Sequence, residues 1–524
     1  MIAIRVDTLC GLGHFMRCKW LALELQCLGE EVVLLVDTQL SDHLTKELGN
    51  IHLLPYAKTQ IEDAANCVQL FNEQQLIIDK LIIDSYRFDI EWESKMAKHV
   101  PSIIAVDDLE REHLAELVID SKWNAEKTSS RYQSTALESQ HFLLGPDFSM
   151  LSRAYRNCVQ TERSNKELMF SLGGGGDWKQ LTEIIRLILE TAPEYKVNLI
   201  IGPNATSVTQ LHELALGHSQ LNLIAAPSCL ANYYKSCTLF VGALGTSLYE
   251  LAATKTPALT FSIAKNQENQ QAALDDLGHY FHIANLIDYP PEQVLKLILA
   301  MLQNIERIHL MRENVAVKID GEGASRVAKL ITSELASSQI TQANNNLIAS
   351  QYQHLTDTIT LRRVVDQDIN RYLTARNLPN NAWRMTITKD IDQLDHYCWW
   401  FANRRDSYVM EVKGKPLLYV WHQLYEIEQQ NYLIGGWFAA SDDVNFAHAQ
   451  LVLDWQLKET EQTYPDAMWV AVINKENKFV NLLNQRAGFK SIAGDAKKMA
   501  VTQHLFPNAS IDDFNFVGKG RVGG

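Results

Sequence analysis

The chain has 524 residues, of which 46% are aliphatic, aromatic or Cys residues and 21% are charged. This composition is that of an ordinary globular protein, which excludes a disordered or fibrous chain, and the length predicts about three domains. The 48 Lys and Arg against 62 Asp and Glu give a net charge of −14, which disfavours nucleic acid and anionic membranes as partners.

The N-terminal segment, Met1 to Asp7, has neither a charged leader nor a long apolar core, so we expect no signal peptide. No segment approaches the roughly 18 apolar residues that a membrane helix needs. The eight cysteines include no CxxC pair and no close group of metal ligands. Scattered single thiols are typical of a reducing compartment. We therefore predict a cytoplasmic protein without a bound metal.

Short apolar strands alternate with amphipathic helices from the N-terminus to residue 335. The predicted strands are residues 2–6, 32–36, 81–83, 103–106, 168–172, 197–201, 221–224, 239–241 and 258–261. Continuous apolar strands between helices predict parallel sheets that are covered on both faces. An interruption at residues 145–166 divides them into two doubly wound, Rossmann-like α/β domains, residues 1–150 and 151–336. Ligands of such sheets bind beyond the carboxyl ends of the strands.

The first strand runs into a glycine turn with a histidine, Gly11-Leu12-Gly13-His14, and we expect the next helix to begin near Phe15. Glycines at this place let the backbone approach a ligand, and a helix N-terminus faces an anion favourably. An imidazole at the mouth of the turn is placed to accept a proton from water or a hydroxyl. The alternative is that His14 only caps the helix.

A second glycine turn, residues 173–176, follows the strand at 168–172. We predict that Gly173 and Gly174 present backbone N–H groups to phosphate oxygens. A flexible loop is the alternative interpretation.

A third strand-to-helix turn contains Thr246 and Ser247, whose hydroxyls can cap the helix or bind a ligand. Glu250, one turn later, can accept two hydrogen bonds from a ribose diol. A capping box between Ser247 and Glu250 would use the same side chains. The amides of Asn266 and Gln267 follow the strand at 258–261 and suit hydrogen bonding to a sugar, although a plain polar loop has the same composition.

These motifs, in this order, resemble the nucleotide-sugar hydrolases of pseudaminic acid biosynthesis, the PseG family. Besides the two glycine turns, the matching segments are LIIDSY at 81–86, VDD at 106–108, LLGPDFSML at 143–151, TSLYE at 246–250, KNQENQ at 265–270 and IDGEGASRV at 319–327. The resemblance covers residues 1–335 and implies a fold related to two-domain glycosyltransferases of the GT-B type. It also implies removal of UDP from UDP-2,4-diacetamido-2,4,6-trideoxy-β-L-altropyranose, by inverting attack of water at the anomeric carbon without metal or cofactor.

The resemblance assigns roles to individual residues. His14 corresponds to the proposed general base of the family, and Tyr86 to its active-site tyrosine. The positions that hold UDP and the sugar correspond to Ser247, Glu250, Asn266 and Gln267.

The roles of four further residues of these motifs are not assigned by the sequence. Asp84, Asp107 and Asp108 belong either to the site or to bonds that tie loops to helices. Ser85 stands where the family pattern has His, and this departure concerns the contacts around the sugar.

A Ser-, Gln- and Asn-rich linker, residues 337–358, precedes a predicted α+β domain at 359–515 and a tail at 516–524. The third domain resembles GNAT N-acetyltransferases that acetylate amino sugars in the same pathway. However, its segment 441–449 lacks the glycines that bind the pyrophosphate of acetyl-CoA and contains Asp442 and Asp443. Asn484 stands where many GNAT enzymes have a tyrosine acid. We expect weak or absent acetyl-CoA binding, with a working acetyltransferase as the alternative.

The sequence thus predicts a UDP-sugar hydrolase, with other enzymes of the same pathway as potential partners. One competing hypothesis is a GT-B glycosyltransferase in which His14 activates an acceptor hydroxyl. Another is a non-catalytic scaffold that binds nucleotide sugars. A bifunctional hydrolase and 4-amino-sugar acetyltransferase is the remaining alternative.

Overall fold

The structure is a computed structural model that describes residues 1–10, 12–158, 166–225, 227–245, 247–263, 270–278, 280–333, 337–344 and 351–520. The chain divides into two compact units, Met1–Leu347 and Ile348–Gly524. None of the helices within the described ranges combines the length and hydropathy that a bilayer-spanning segment needs.

The first unit contains sixteen strands within the described ranges. They are β1 (Ile2–Val6), β2 (Val32–Val36), β3 (Asn50–Leu53), β4 (Lys80–Asp84), β5 (Ser102–Val106), β6 (Leu117–Asp120), β7 (His141–Leu144), β8 (Glu167–Ser171), β9 (Gly175–Asp177), β10 (Lys196–Ile201), β11 (Asn204–Thr206), β12 (Leu221–Ala225), β13 (Leu239–Ala243), β14 (Ala258–Phe261), β15 (Phe281–Ile283) and β16 (Gln339–Ile340).

Helices connect these strands and cover the sheets. They are α1 (Leu12–Cys27), α2 (Asp42–Thr45), α3 (Gln60–Glu73), α4 (Ile90–Met96), α5 (Lys179–Thr191), α6 (Thr209–Gly217), α7 (Ala231–Ser236), α8 (Ser247–Ala253), α9 (Gln271–Leu277), α10 (Pro291–Gln303), α11 (Ile305–Glu313) and α12 (Gly323–Thr332).

Two parallel sheets organise this unit, which confirms the predicted doubly wound α/β architecture. The first sheet has the order β16-β7-β6-β5-β4-β1-β2-β3, and the second has the order β12-β10-β8-β13-β14-β15. All nine predicted strands are present. Several shorter strands were missed, among them β3, which lies half-exposed at a sheet edge, and β6, whose four buried residues are too few for a clear period.

The end of this unit returns to the first sheet. Helix α12 buries Val327, Ala328 and Ile331 in the same core as the apolar face of α1. Strand β16, from the segment predicted as a linker, then pairs with β7. The amphipathic pattern of α12 explains this packing, because its apolar face is removed from water against the first sheet.

The start of α1 differs from the prediction. The helix begins at Leu12 instead of near Phe15, so Gly13 and His14 lie in its first turn. A 3-10 turn at Thr8–Cys10 precedes the helix, so the backbone already has a helical conformation shortly after β1. His14 is therefore a first-turn residue of the helix.

The second unit is an α+β domain, as predicted. Its strands are β17 (Gln353–His354), β18 (Ile359–Arg363), β19 (Asp406–Val412), β20 (Lys415–Ile427), β21 (Gln430–Ala439), β22 (Met468–Asn474), β23 (Lys490–Ser491) and β24 (Phe514–Lys519). Its helices are α13 (Ile369–Arg376), α14 (Pro379–Ala382), α15 (Gln393–Ala402), α16 (Phe446–Thr463), α17 (Lys478–Arg486) and α18 (Ala496–Leu505).

One mixed sheet, with the order β17-β18-β19-β20-β21-β22-β24-β23, forms the centre of the second unit. Strands β21 and β22 are parallel and pair only at Tyr432 with Met468 and at Leu433 with Trp469. Strand β24 includes residues 516–519 of the predicted tail, because Phe516 is buried in the core of this unit.

Candidate functional site

The candidate site lies at the carboxyl edge of the first sheet, where the strand order reverses. Strand β1 pairs with β2 on one side and with β4 on the other. Crevices of this kind are the usual ligand sites of doubly wound sheets. The first turn of α1 stands at this junction because the helix follows β1 almost directly. It places His14 above the end of β4.

His14 and Asp84 form a close pair at this junction. The imidazole Nδ1 lies 2.6 Å from the Asp84 Oδ1, and both side chains are buried. A contact this short to a carboxylate assigns the proton to Nδ1. The described residues give Nε2 no hydrogen-bond partner, so Nε2 is the nitrogen that can accept a proton. This arrangement is that of a general base oriented by a carboxylate.

Arg17 holds the same carboxylate from the next turn of α1. Its Nε and Nη2 donate to the two oxygens of Asp84, each at 2.6 Å. Burial alone would raise the pKa of Asp84, but the charge of Arg17 and the contact with His14 outweigh burial and hold that pKa well below its usual range. We did not single out Arg17 from the sequence. The available signal was its position three residues after His14, on the same helix face.

Tyr86 forms a wall of the site beside the imidazole. Its ring meets the His14 ring edge-on, with 4.5 Å between the centroids. Its hydroxyl donates to the Asp108 Oδ2 at 3.0 Å. Burial and the charge of Asp108 raise the pKa of Tyr86, so the phenol stays protonated at neutral pH.

The other acidic and polar side chains near this edge brace the loops. Asp107 accepts hydrogen bonds from Arg111 and from the Tyr132 hydroxyl, at 2.7 and 2.8 Å. Ser85 is buried and donates to the Asp7 Oδ2 at 2.8 Å. Of the three aspartates left open by the sequence, Asp84 and Asp108 therefore adjoin His14 and Tyr86, whereas Asp107 ties a loop.

The second glycine turn follows β8, next to the point where β8 pairs with both β10 and β13. Gly173 has a φ of +73° and donates its N–H to the Ser171 Oγ at 3.1 Å. The Gly174 carbonyl accepts from the Asn204 N–H at 3.0 Å. A Cβ added to Gly173 or Gly174 would meet no atom within 4 Å. The Gly173 N–H, which the sequence predicted for a phosphate, is thus already engaged by Ser171, whereas the space on the outer face of the turn stays open.

The helix that follows β13 carries a carboxyl group, that of Glu250, which is a weaker acid than usual. Glu250 is half-buried on α8, and burial raises its pKa to about 7, although the facing hydroxyls of Tyr155 and Tyr234 oppose this effect. Ser247 bonds within its own turn, to the Ala243 carbonyl and the Gly245 N–H at 3.1 and 3.3 Å. Among the residues that the structure describes, the side-chain bonds of Ser247 do not form the capping box with Glu250 that was the alternative from the sequence.

Four of the predicted site residues lie outside the described residues. They are Gly11, Thr246, Asn266 and Gln267. The structure therefore describes His14, Tyr86 and Gly13 in the first half of this unit, and Gly173, Gly174, Ser247 and Glu250 in the second.

In the second unit, aromatic side chains gather near the N-termini of α16 and α17. Phe479 packs edge-on against Trp437 and Phe446, with centroids 6.2 and 5.5 Å apart. The Asn445 side chain caps α16 by accepting the His448 N–H at 3.1 Å, and His448 Nδ1 accepts from the Asn445 N–H. Two backbone donors at this helix start, the N–H groups of Asn445 and His448, are thus already engaged.

No family model matches the chain. A curated relative from Helicobacter pylori, a pseudaminic acid cytidylyltransferase and UDP-2,4-diacetamido-2,4,6-trideoxy-beta-L-altropyranose hydrolase, is 28% identical over 278 residues, which are 51% of this chain and 45% of the relative. The chain therefore spans about half the length of the relative that it matches.

Solved structures show distant likenesses. A MurG from Acinetobacter baumannii is 13% identical, covers 63% of this chain and 98% of its own, and has a TM-score of 0.43. An MnaA–UDP structure from S. aureus is 10% identical over 65% of this chain and 99% of its own, with a TM-score of 0.46. An N-acetyltransferase from Staphylococcus aureus Mu50 is 17% identical over 31% of this chain and 99% of its own, with a TM-score of 0.25. On the sequence relationship, about half of the chain is distantly related to an enzyme of pseudaminic acid biosynthesis.

Proposed function

We propose that residues 1–336 form a nucleotide-sugar hydrolase. The proposed reaction releases UDP from UDP-2,4-diacetamido-2,4,6-trideoxy-β-L-altropyranose or a close nonulosonic acid precursor. The observation that carries the proposal is the Asp84–His14 pair at 2.6 Å, set at the switch point of a parallel sheet. The hydrolase activity in the name of the Helicobacter pylori relative supports this substrate.

The proposed mechanism uses His14 as a general base. Its Nε2 takes a proton from water while the water oxygen attacks the anomeric carbon. The bond between that carbon and the diphosphate oxygen breaks, and UDP leaves with the electron pair. Asp84 stabilises the imidazolium that forms, as carboxylates do in such pairs. A base of this kind typically contributes about 10²- to 10⁴-fold to the rate.

The second sheet supplies the proposed nucleotide site. At its switch point β8 pairs in parallel with β13, so the open glycine turn after β8 and the segment leading to α8, which carries Glu250, leave the sheet at the same edge. Because the Gly173 N–H already donates to the Ser171 Oγ, we assign the Gly174 N–H to the diphosphate, with Gly173 shaping the turn through its positive φ. We assign the Glu250 carboxylate to the ribose hydroxyls. Ser247 supports this turn through its local hydrogen bonds. Tyr86 and Asp108 would border the sugar next to His14.

Turnover in ¹⁸O-labelled water tests the function directly. We incubate the full chain with the diacetamido UDP-sugar, without an acceptor and with EDTA. The expected products are free sugar labelled at its anomeric hydroxyl and unlabelled UDP, because water attacks carbon. Label in the UDP would contradict attack at carbon, and activity that EDTA abolishes and Mg²⁺ restores would contradict a metal-free reaction. Turnover only with an added acceptor would indicate a glycosyltransferase, and binding without turnover would indicate a scaffold.

For the second unit we propose a GNAT-like domain that has lost its acetyl-CoA site. The Asn445 side chain caps the start of α16, the Phe479 ring packs against Phe446 in its first turn, and Asp442 and Asp443 lie in the preceding segment. Carboxylates repel a diphosphate that lies close to them. Asn484 is buried and donates to the Val480 carbonyl, so it does not replace a tyrosine acid.

Titration of the full chain with acetyl-CoA tests this loss. We expect no saturation up to roughly 1 mM, which corresponds to binding weaker than about −4 kcal/mol. UDP, titrated into the same sample, is the positive control for folded protein. Micromolar affinity for acetyl-CoA, together with acetylation of the 4-amino UDP-sugar, would contradict the proposal and establish a bifunctional enzyme.

A further inference from the structure

The charged side chain of Arg17 lies beside His14, the proposed base. The proposed mechanism does not use Arg17. Its Nη2 lies 3.1 Å from the His14 Nδ1, and its Nη1 lies 3.7 Å from the Asp108 Oδ2. The side chain is 15% exposed, and it contacts Asp84 at the end of β4 and Asp108 in the loop after β5. A guanidinium in contact with both members of the Asp84–His14 pair affects the charge of each.

The effect on His14 follows from the geometry. A carboxylate 2.6 Å from an imidazole favours the protonated imidazolium, because opposite charges attract strongly where water is excluded. A neighbouring guanidinium disfavours the imidazolium by like-charge repulsion. Arg17 also uses both carboxylate oxygens of Asp84, so part of the negative charge is already compensated. A general base must be neutral before it can take a proton.

The other groups that face His14 are neutral or engaged elsewhere. Cys18, on α1, donates to Asp84 at 3.3 Å, and burial raises the pKa of its thiol well above the usual value. Tyr86, after β4, stays protonated, as burial raises the pKa of its phenol. Asp108, in the loop after β5, accepts from the Tyr86 hydroxyl and pairs with Arg17. Among the described contacts of His14, Arg17 supplies the positive charge.

We infer that Arg17 is a positioning residue of this site, which fixes the Asp84 carboxylate and offsets the attraction of that carboxylate for a proton on His14. The kinetic consequence of this inference rests on the proposed hydrolase function. The charge balance itself does not, and it can be measured without substrate.

Two substitutions separate the charge of Arg17 from its shape. Arg17→Gln removes the charge, whereas Arg17→Lys keeps the charge and removes the two-pronged contact with Asp84. The substrate-free measurement is the pH dependence of deuterium exchange at the His14 ring carbon C2, followed by mass spectrometry. In Arg17→Gln we expect the exchange midpoint to rise by about one pH unit or more, and in Arg17→Lys to stay within about 0.3 unit of the native protein.

A second pair of variants serves if Arg17→Gln does not fold. Asp84→Asn leaves the guanidinium facing the imidazole without a carboxylate, so the His14 midpoint should fall by about one pH unit or more. Adding Arg17→Gln to Asp84→Asn removes both buried charges and should raise the midpoint again. Arg87→Gln is the control, because Arg87 pairs with Asp7 and Asp37. This control should leave the midpoint unchanged.

The outcomes are distinguishable. An unchanged midpoint in Arg17→Gln, or an equal shift in both Arg17 variants, would overturn the inference.

In the hydrolase assay, the acidic limb of the kcat/KM profile of Arg17→Gln should move to higher pH by the same amount as the exchange midpoint. A uniform loss at every pH would show a merely structural role. If the exchange midpoints shift as predicted but the protein does not hydrolyse UDP-sugars, the charge balance is supported and the proposed function is rejected.

Discussion

Replacing His14 by alanine is expected to lower kcat for the UDP-sugar by about 10²- to 10⁴-fold. The reason is that in the proposed mechanism the Nε2 of His14 takes the proton of the attacking water, while its Nδ1 is held by Asp84 at 2.6 Å. UDP binds to the other half of the unit in our proposal, so its affinity should change by less than about threefold, or under roughly 0.7 kcal/mol. Steady-state kinetics and calorimetric titration with UDP measure the two effects.

His99→Ala is the matched control, because His99 is an exposed histidine after α4 in the same half of the unit. It should keep native turnover. Turnover of His14→Ala close to the native value would remove this residue from the mechanism. A parallel loss of UDP affinity and turnover would instead indicate that the substitution disturbs the fold.

Replacing Glu250 by glutamine is expected to weaken UDP binding at pH 8 by about 10- to 150-fold. A hydrogen bond to a charged carboxylate is worth about 1.5–3 kcal/mol, and the amide keeps the shape but loses the charge. Native affinity should also depend on pH. Since burial raises the pKa of Glu250 to about 7, protonation removes the charged acceptor as the pH falls through this value. Affinity is therefore highest above pH 7 and decreases below it.

Calorimetric titration of UDP from pH 6 to pH 8.5 checks both parts of this prediction. Glu250→Gln should show a weaker pH dependence than the native protein, since its side chain does not titrate and the terminal phosphate of UDP, with a pKa of about 6, is the ligand group that still changes charge near the acidic end. Glu213→Gln, at an exposed position on α6, is the control and should retain the native profile. Equal native affinity at pH 6 and pH 8.5 would rule out a role for the Glu250 carboxylate in holding the nucleotide.

The parallel architecture was predictable because it follows from local sequence patterns. Most of the buried strands of the two sheets are short, mainly apolar segments, as in β2 and β13. Such segments are recognisable without knowledge of their partners. The start of α1 was misplaced because glycines mark a turn in sequence but are equally compatible with the first turn of a helix, as Gly13 shows.

The sequence by itself determined the α/β class, the separate third domain and the histidine that follows the first strand. These features depend on residue type, spacing and short-range backbone preference. Only the tertiary structure decided that Asp84 and Arg17 act on His14, that Asp108 holds Tyr86 and that Asp107 does not belong to this group. Asp84 is 70 residues away from His14 in the chain. The two meet because β4 inserts next to β1, and the order of strands in a sheet is set by long-range packing that no local pattern records.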